Sequence, residues 1–167
     1  KCAVAPSGAP EPCWELADPT MTDIPDDFLK GNTDLTGTLK LGGAGVILKT
    51  IGSWAFANTK LTSLYFSSWH DLHTRATIKD FAFANTDITG TLVIGSYVKA
   101  IGEYAFGGTE ITGLDLWNSP SLLTIGKRAF ADTNLRGKIS TPFDPIPTYT
   151  TGGSAASFPP GVTIVKG

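Results

Sequence analysis

Residues 51–66 read IGSWAFANTKLTSLYF, and close variants return as IKDFAFANTDITGTLVI (78–94), IGEYAFGGTEITGLDLW (101–117) and IGKRAFADTNLRGKIS (125–140). Within them a small polar residue, a Thr, any residue and then Leu or Ile recur, and a fifth such phrase precedes them at Asn32-Thr33-Asp34-Leu35. The steps between Thr33, Thr59, Thr86, Thr109 and Thr133 are 26, 27, 23 and 24 residues. A period in that range marks one supersecondary unit copied and stacked, each copy covering its neighbour's apolar face. The chain is therefore read as a solenoid of about five coils, mostly β with short turns or helical pieces.

Two anchors repeat in each copy. Upstream of the Thr phrase an Ile is followed by Ala-Phe: Ile51 with Phe56, Ile78 with Phe83, Ile101 with Phe106 and Ile125 with Phe130, with Ile24 and Phe28 opening a divergent first copy. One Phe per copy predicts an interior stack, and the Ala beside it permits close approach of the layers. Downstream, apolar residues alternate, as in Leu61, Leu64 and Phe66 or Ile111, Leu114 and Leu116, and alternation predicts a strand. A second short apolar stretch leads to the next Ile, so each coil is expected to hold two strands. The residue before each Thr suits a left-handed turn position. The Thr is expected to bond the turn of the adjacent layer, and Gly37, Gly90, Gly113 and Gly137, with Ser63, to mark a place where a larger side chain does not fit.

Composition bounds the rest. The 167 residues are 41% hydrophobic and 17% charged, the profile of a folded domain. No apolar run approaches the roughly 18 residues of a membrane-spanning helix. Residues 1–28 hold six acids and one base, a balance of −5, against nine acids and twelve bases, +3, in the remainder. Near the far end Lys127, Arg128, Arg136 and Lys138 stand beside Asp132, so a lengthwise field is expected to orient a partner. A pI near 5.6 and the lack of a long basic face with interleaved aromatics argue against nucleic acid. The chain begins at Lys1 without a leader, which reads as a processed chain or an expression boundary. Cys2 and Cys13 lie close together in a Pro-rich segment, which predicts a disulfide made in an oxidising compartment, two reduced thiols being the alternative. The location that follows is extracytoplasmic: secreted, cell-surface or organelle-lumenal.

These phrases resemble BspA-type leucine-rich repeats, whose pattern joins Ile-Gly, Ala-Phe, a turn and a strand of the Leu-Thr-x-Leu-x-Leu kind. The resemblance covers residues 24–140, with an N-terminal cap at 1–23 and a C-terminal cap at 141–167. It departs from the pattern in the first copy, IPDDFLKGNTDL, and in the absence of a turn cysteine. It implies a curved solenoid with a parallel sheet on the concave side, and adhesion or protein binding as its work.

For chemistry the sequence offers little. His70 and His73 flank Asp71 in one of the longer repeats, without the further ligands a metal needs, and read as a solvated insertion. No nucleophile motif occurs, Gly42-Gly43-Ala44-Gly45 reads as a turn, and neither catalytic residue, metal nor cofactor is assigned. Recognition has better candidates. The outward positions of the presumed concave strands, Lys40, Tyr65, Val93 and Asp115, vary beside invariant anchors, as a protein-binding surface would. Trp54, Phe81 and Tyr104, followed by Arg128, precede Ala-Phe in successive copies, either packing on neighbouring coils or gripping protein or sugar. Thr36, Thr62, Thr89 and Thr112, with Thr38 and Thr91, form a column of the kind that binds ice. The reading is a non-enzymatic protein-interaction or adhesion module, possible also as a subunit of a larger lumenal assembly touching a membrane complex, with carbohydrate or ice as the alternative ligand.

Overall fold

The computed structural model of the chain describes residues 12–16, 18, 20–42, 46–66, 75–117, 119–142, 147–149, 151 and 156–167. Among them are thirteen strands and no helix, the segments between Ile and Thr being turns. The strands fall into two sets facing each other across one interior.

The short set is continuous. β2 (Asp23–Ile24), β4 (Thr50–Ile51), β6 (Ala76–Ile78), β8 (Val98–Ile101), β10 (Thr124–Ile125) and β12 (Thr148–Tyr149) form one six-stranded sheet in chain order. All its pairings are parallel, and the register places Ile24, Ile51, Ile78, Ile101, Ile125 and Tyr149 in a single row. The Gly after several of these Ile residues is required by coil spacing. A Cβ at Gly52 would lie 2.4 Å from the backbone of Pro25, and one at Gly126 2.6 Å from that of Gly102.

The long set is broken. β1 (Cys13–Leu16), β3 (Thr36–Leu41) and β5 (Lys60–Phe66) pair together, as do β7 (Thr89–Val93) with β9 (Glu110–Asp115) and β11 (Lys138–Thr141) with β13 (Thr163–Lys166). No ladder joins β5 to β7 or β9 to β11. The breaks follow an alternation in copy length: Leu35 to Leu41 and Ile88 to Ile94 span six steps, Leu61 to Phe66 and Ile111 to Leu116 five. Where a short copy follows a long one, the ladder holds through a bulge in the short copy, with Thr62 and Thr112 left without a counterpart. Where a long copy follows a short one, the ladder is lost. Leu64 and Leu114 are 9% exposed, against 2% for Leu39 and Leu92.

Between the sets runs the predicted stack. Phe56, Phe83, Phe106 and Phe130 are fully buried, with successive centroids 5.2, 5.3 and 5.4 Å apart and planes within 8° of parallel. Phe158 continues it at 5.2 Å and 3°. With β12 and β13, this places residues 147–149 and 156–167 in a further coil. Spacing close to the interstrand distance is what in-register parallel coils impose.

The first copy is offset by one residue from the sequence reading. The amide of Leu29 donates to the Ala55 carbonyl as that of Phe56 does to Ala82, so Leu29, not Phe28, fills the stack position. Phe28 is 37% exposed and meets Phe56 edge-on. The cause is a turn that needs two left-handed residues four apart, here Asp27 and Gly31, matching Trp54 and Asn58.

The Thr residues also act differently from expectation. Thr59, Thr86, Thr109 and Thr133 are buried, and each hydroxyl donates to the carbonyl of the Phe three residues earlier in its own coil, at 2.8 to 3.0 Å. They satisfy a turn carbonyl rather than bonding the adjacent layer. Of the glycines singled out, Gly90 and Gly137 have open space where a Cβ would be, and their left-handed φ is the requirement. At Gly37 crowding against the Pro12 carbonyl adds to a left-handed φ.

Candidate functional site

Alternation in the long strands sends every second side chain outward. The register sets Glu15, Lys40 and Tyr65 in one row, and Val93 beside Asp115 in the next coils, so the predicted outward column exists in two parts on either side of the β5/β7 break. Its ends are electrostatically engaged. Lys40 Nζ donates to Glu15 Oε1 at 2.7 Å, which holds the Glu15 carboxyl below its ordinary range, and Asp115 Oδ1 accepts from the Trp117 amide at 2.8 Å. The middle is apolar and open: Tyr65 is 53% and Val93 48% exposed. Trp117, two residues beyond Asp115, is 61% exposed. The sequence reading passed over it, although the alternation that buries Leu116 turns the next residue outward.

The second predicted column is a closed stack. Trp54 and Phe81 lie 4.2 Å apart and parallel within 1°, and Tyr104 follows Phe81 at 5.4 Å, tilted 36°. Cations end the row: Lys30 stands 4.4 Å from the Trp54 ring and Arg128 5.0 Å from the Tyr104 ring. Each ring therefore covers its neighbour, and what faces water is edge. Trp54, Phe81, Tyr104 and Arg128 all have φ between 51° and 60°. Bulky residues are rarely found there, at a cost of about 1–2 kcal/mol each. Coil-to-coil bonds hold them, the amides of Trp54, Phe81 and Tyr104 donating to the carbonyls of Asp80, Glu103 and Lys127. The Tyr104 hydroxyl donates to Asp132 Oδ2 at 2.8 Å, and burial, followed by that carboxylate, raises its pKa.

The Thr column loses its regularity in the ladder. Thr36 lies opposite Lys60 and Thr89 opposite Glu110, while Thr62 and Thr112 are the bulged residues. The bulge in β5 and β9 is the reason, so the hydroxyls do not form one row.

His70, His73 and Asp71, most of the Gly42–45 turn, and Cys2 lie outside the described residues; Cys13 begins β1. Among the described residues no group of three or more His, Cys, Asp or Glu is placed to hold a metal, and no helix is long and apolar enough to cross a membrane.

The model of the BspA type leucine-rich repeat region matches residues 46–150 in six copies. No curated protein and no solved structure matches the chain.

Proposed function

The chain belongs to the BspA-type leucine-rich repeat family, whose pattern spans more than half of its length, and from that premise we propose a non-enzymatic module that binds a protein partner through the outward side of its long strands. The observation that carries this reading is the set of open apolar side chains Tyr65, Val93 and Trp117, each about half exposed or more on a scaffold whose other large apolar side chains are mostly buried. Exposed aromatics on a rigid surface are the usual anchors of protein interfaces. The ion-paired Lys40 and Glu15 give that set a polar rim.

A sugar needs an uncovered ring face, and the Trp54–Phe81–Tyr104 rings cover one another. An ice plane needs Thr in register, and the ladder sets Thr36 and Thr89 against Lys60 and Glu110. Both favour the strand surface. An extracytoplasmic location and a Cys2–Cys13 disulfide belong to the same proposal, supported by the absence of a free cysteine among the described residues. Membership of a larger assembly is compatible with this surface.

The test is capture from native extract with partners identified by mass spectrometry, comparing the unaltered chain with a Tyr65→Ala/Asp115→Ala pair, a Trp117→Ala variant and a Trp54→Ala/Tyr104→Ala pair. Loss of one partner in the first two, with retention in the last, is the expected outcome. Retention in all three overturns the strand surface as the binding site.

A further inference from the structure

The outer column stops one rung early. In every earlier coil the two carbonyls that receive the turn amides are separated by the rung residue: Asp80 and Ala82 around Phe81, Glu103 and Ala105 around Tyr104, Lys127 and Ala129 around Arg128. In the last coil the amides of Arg128 and Phe130 donate to Ala156 and Ser157, which are consecutive. Ala156, two residues before Phe158 as Arg128 is two before Phe130, takes the column position and carries no ring to stand over Arg128. The second left-handed position of this turn falls at Pro160, and proline's ring holds φ near −65°, so this turn cannot close as the others do.

The vacancy is a cleft of about 580 Å³, open to solvent, at the end of the column. That size lies within the range of small-molecule sites. Phe158, Pro159 and Pro160 supply apolar walls, and Arg128, Asp132 and Arg136 supply charge. Asp132 is engaged, by the Tyr104 hydroxyl at 2.8 Å and by Arg128 at 3.6 Å. Arg136 donates to the Leu135 carbonyl and has no carboxylate partner among the described residues. The cleft thus joins a planar cation already stacked on Tyr104, a second guanidinium with donors to spare, and a slot shaped by the repeat for a flat ring.

We propose that this cleft binds a small aromatic carboxylate, its ring completing the column on the guanidinium of Arg128 and its carboxylate held by Arg136. Arginine planes stack on aromatic rings and their N–H forks match carboxylates. Benzoate is the probe, titrated into ¹⁵N-labelled protein, with cyclohexanecarboxylate and benzyl alcohol as the non-planar and uncharged comparisons. Benzoate is expected to shift the amides of Arg128, Ala131, Thr133 and Ala156 with a dissociation constant on the order of 1 mM, as fragments of that size reach. Arg136→Gln and Arg128→Lys are each expected to weaken it about fivefold or more, since the first removes the charge and the second the plane. Ala156→Tyr supplies the missing ring at the column position and is expected to abolish binding in a chain whose remaining amide spectrum is unchanged. Equal binding of cyclohexanecarboxylate, equal binding of benzyl alcohol, shifts confined to other residues, or no binding would each overturn the proposal.

Discussion

Two stacks of rings run the length of this molecule two residues apart in sequence, and they obey different rules. The inner one is Phe at every level from Phe56 to Phe158, fully or almost fully buried, with planes parallel within 8°. The outer one reads Trp54, Phe81, Tyr104 and Arg128, half-buried or exposed, with Lys30 over its first ring. An inner ring is bounded on every side by packed neighbours, so only one volume fits each level. An outer ring meets protein only through its faces, so any flat group that stacks will serve. Sameness in the one and variety in the other follow from how many sides are closed.

Truncation should separate them most widely. Phe83→Ala removes a ring between two parallel rings in a closed interior, and denaturant unfolding is expected to record a loss of about 4 kcal/mol. Phe81→Ala, two residues away, leaves a gap that water enters and is expected to cost about 1 kcal/mol, its stacking alone. Equal losses at the two positions would mean that the outer column is as much core as the inner one. The Thr below the inner ring comes next in size. Thr86→Val keeps the shape but removes the donor to the Phe83 carbonyl, an expected loss of about 1 kcal/mol or slightly more.

The outer stack also stores backbone strain, which gives a sharper comparison because it reverses the usual order of substitutions. At an ordinary strand or helix position Gly is less stable than Ala by about 0.5–1 kcal/mol. Phe81 has φ of 59°, where Ala retains the steric cost and Gly does not. Phe81→Gly is therefore expected to be more stable than Phe81→Ala by about 1 kcal/mol in paired denaturation curves. The opposite order would show that the turn relaxes out of the left-handed region once the ring is gone.

How much of this was legible follows from the same contrast. Phe56, Phe83, Phe106 and Phe130 could be placed from sequence because full enclosure makes a residue recur, and the row from Ile24 to Ile125 recurs for the same reason. The left-handed position at Asn58 and Asn85 was legible through residue type. That at Trp54, Phe81, Tyr104 and Arg128 was hidden, since nothing in an aromatic or Arg announces a positive φ. The first copy misled because Phe28 looks like the stack residue while backbone bonding assigns Leu29. The breaks coincide with the alternating copy lengths, six steps and five, yet the fate of Thr36 and Thr62 depended on where the bulge fell, which is in the shorter copy. The open positions of Tyr65 and Val93 followed from alternation, whereas the cleft beside Arg128 arises because the column position there is Ala156, a letter that does not announce the space it leaves.

Acid offers the gentlest way to divide inside from outside. The inner stack carries no titratable group, but the outer surface of the first coil holds four carboxylates whose pKa values are lowered: Glu15 by the Lys40 ammonium, Asp18 by the Thr20 hydroxyl, Asp23 by the Thr22 hydroxyl, and Asp26 by the Ser53 amide and then Lys79. A folded-state value below the unfolded one adds stability that is complete above the ordinary range, 4.5 for Glu and 3.8 for Asp, and lost as pH falls through the lowered values. All four side chains are open to water, so each effect is small and salt-screened. Their clustering makes the response local. Between pH 5 and about pH 3, amide exchange is expected to quicken first where Asp26 accepts from Ser53 and where β1 meets β3, while the amides of Phe83 and Phe106 keep their protection. Uniform quickening along every coil would show instead that a solenoid this short opens as one unit, and that its two stacks are coupled more tightly than their surroundings imply.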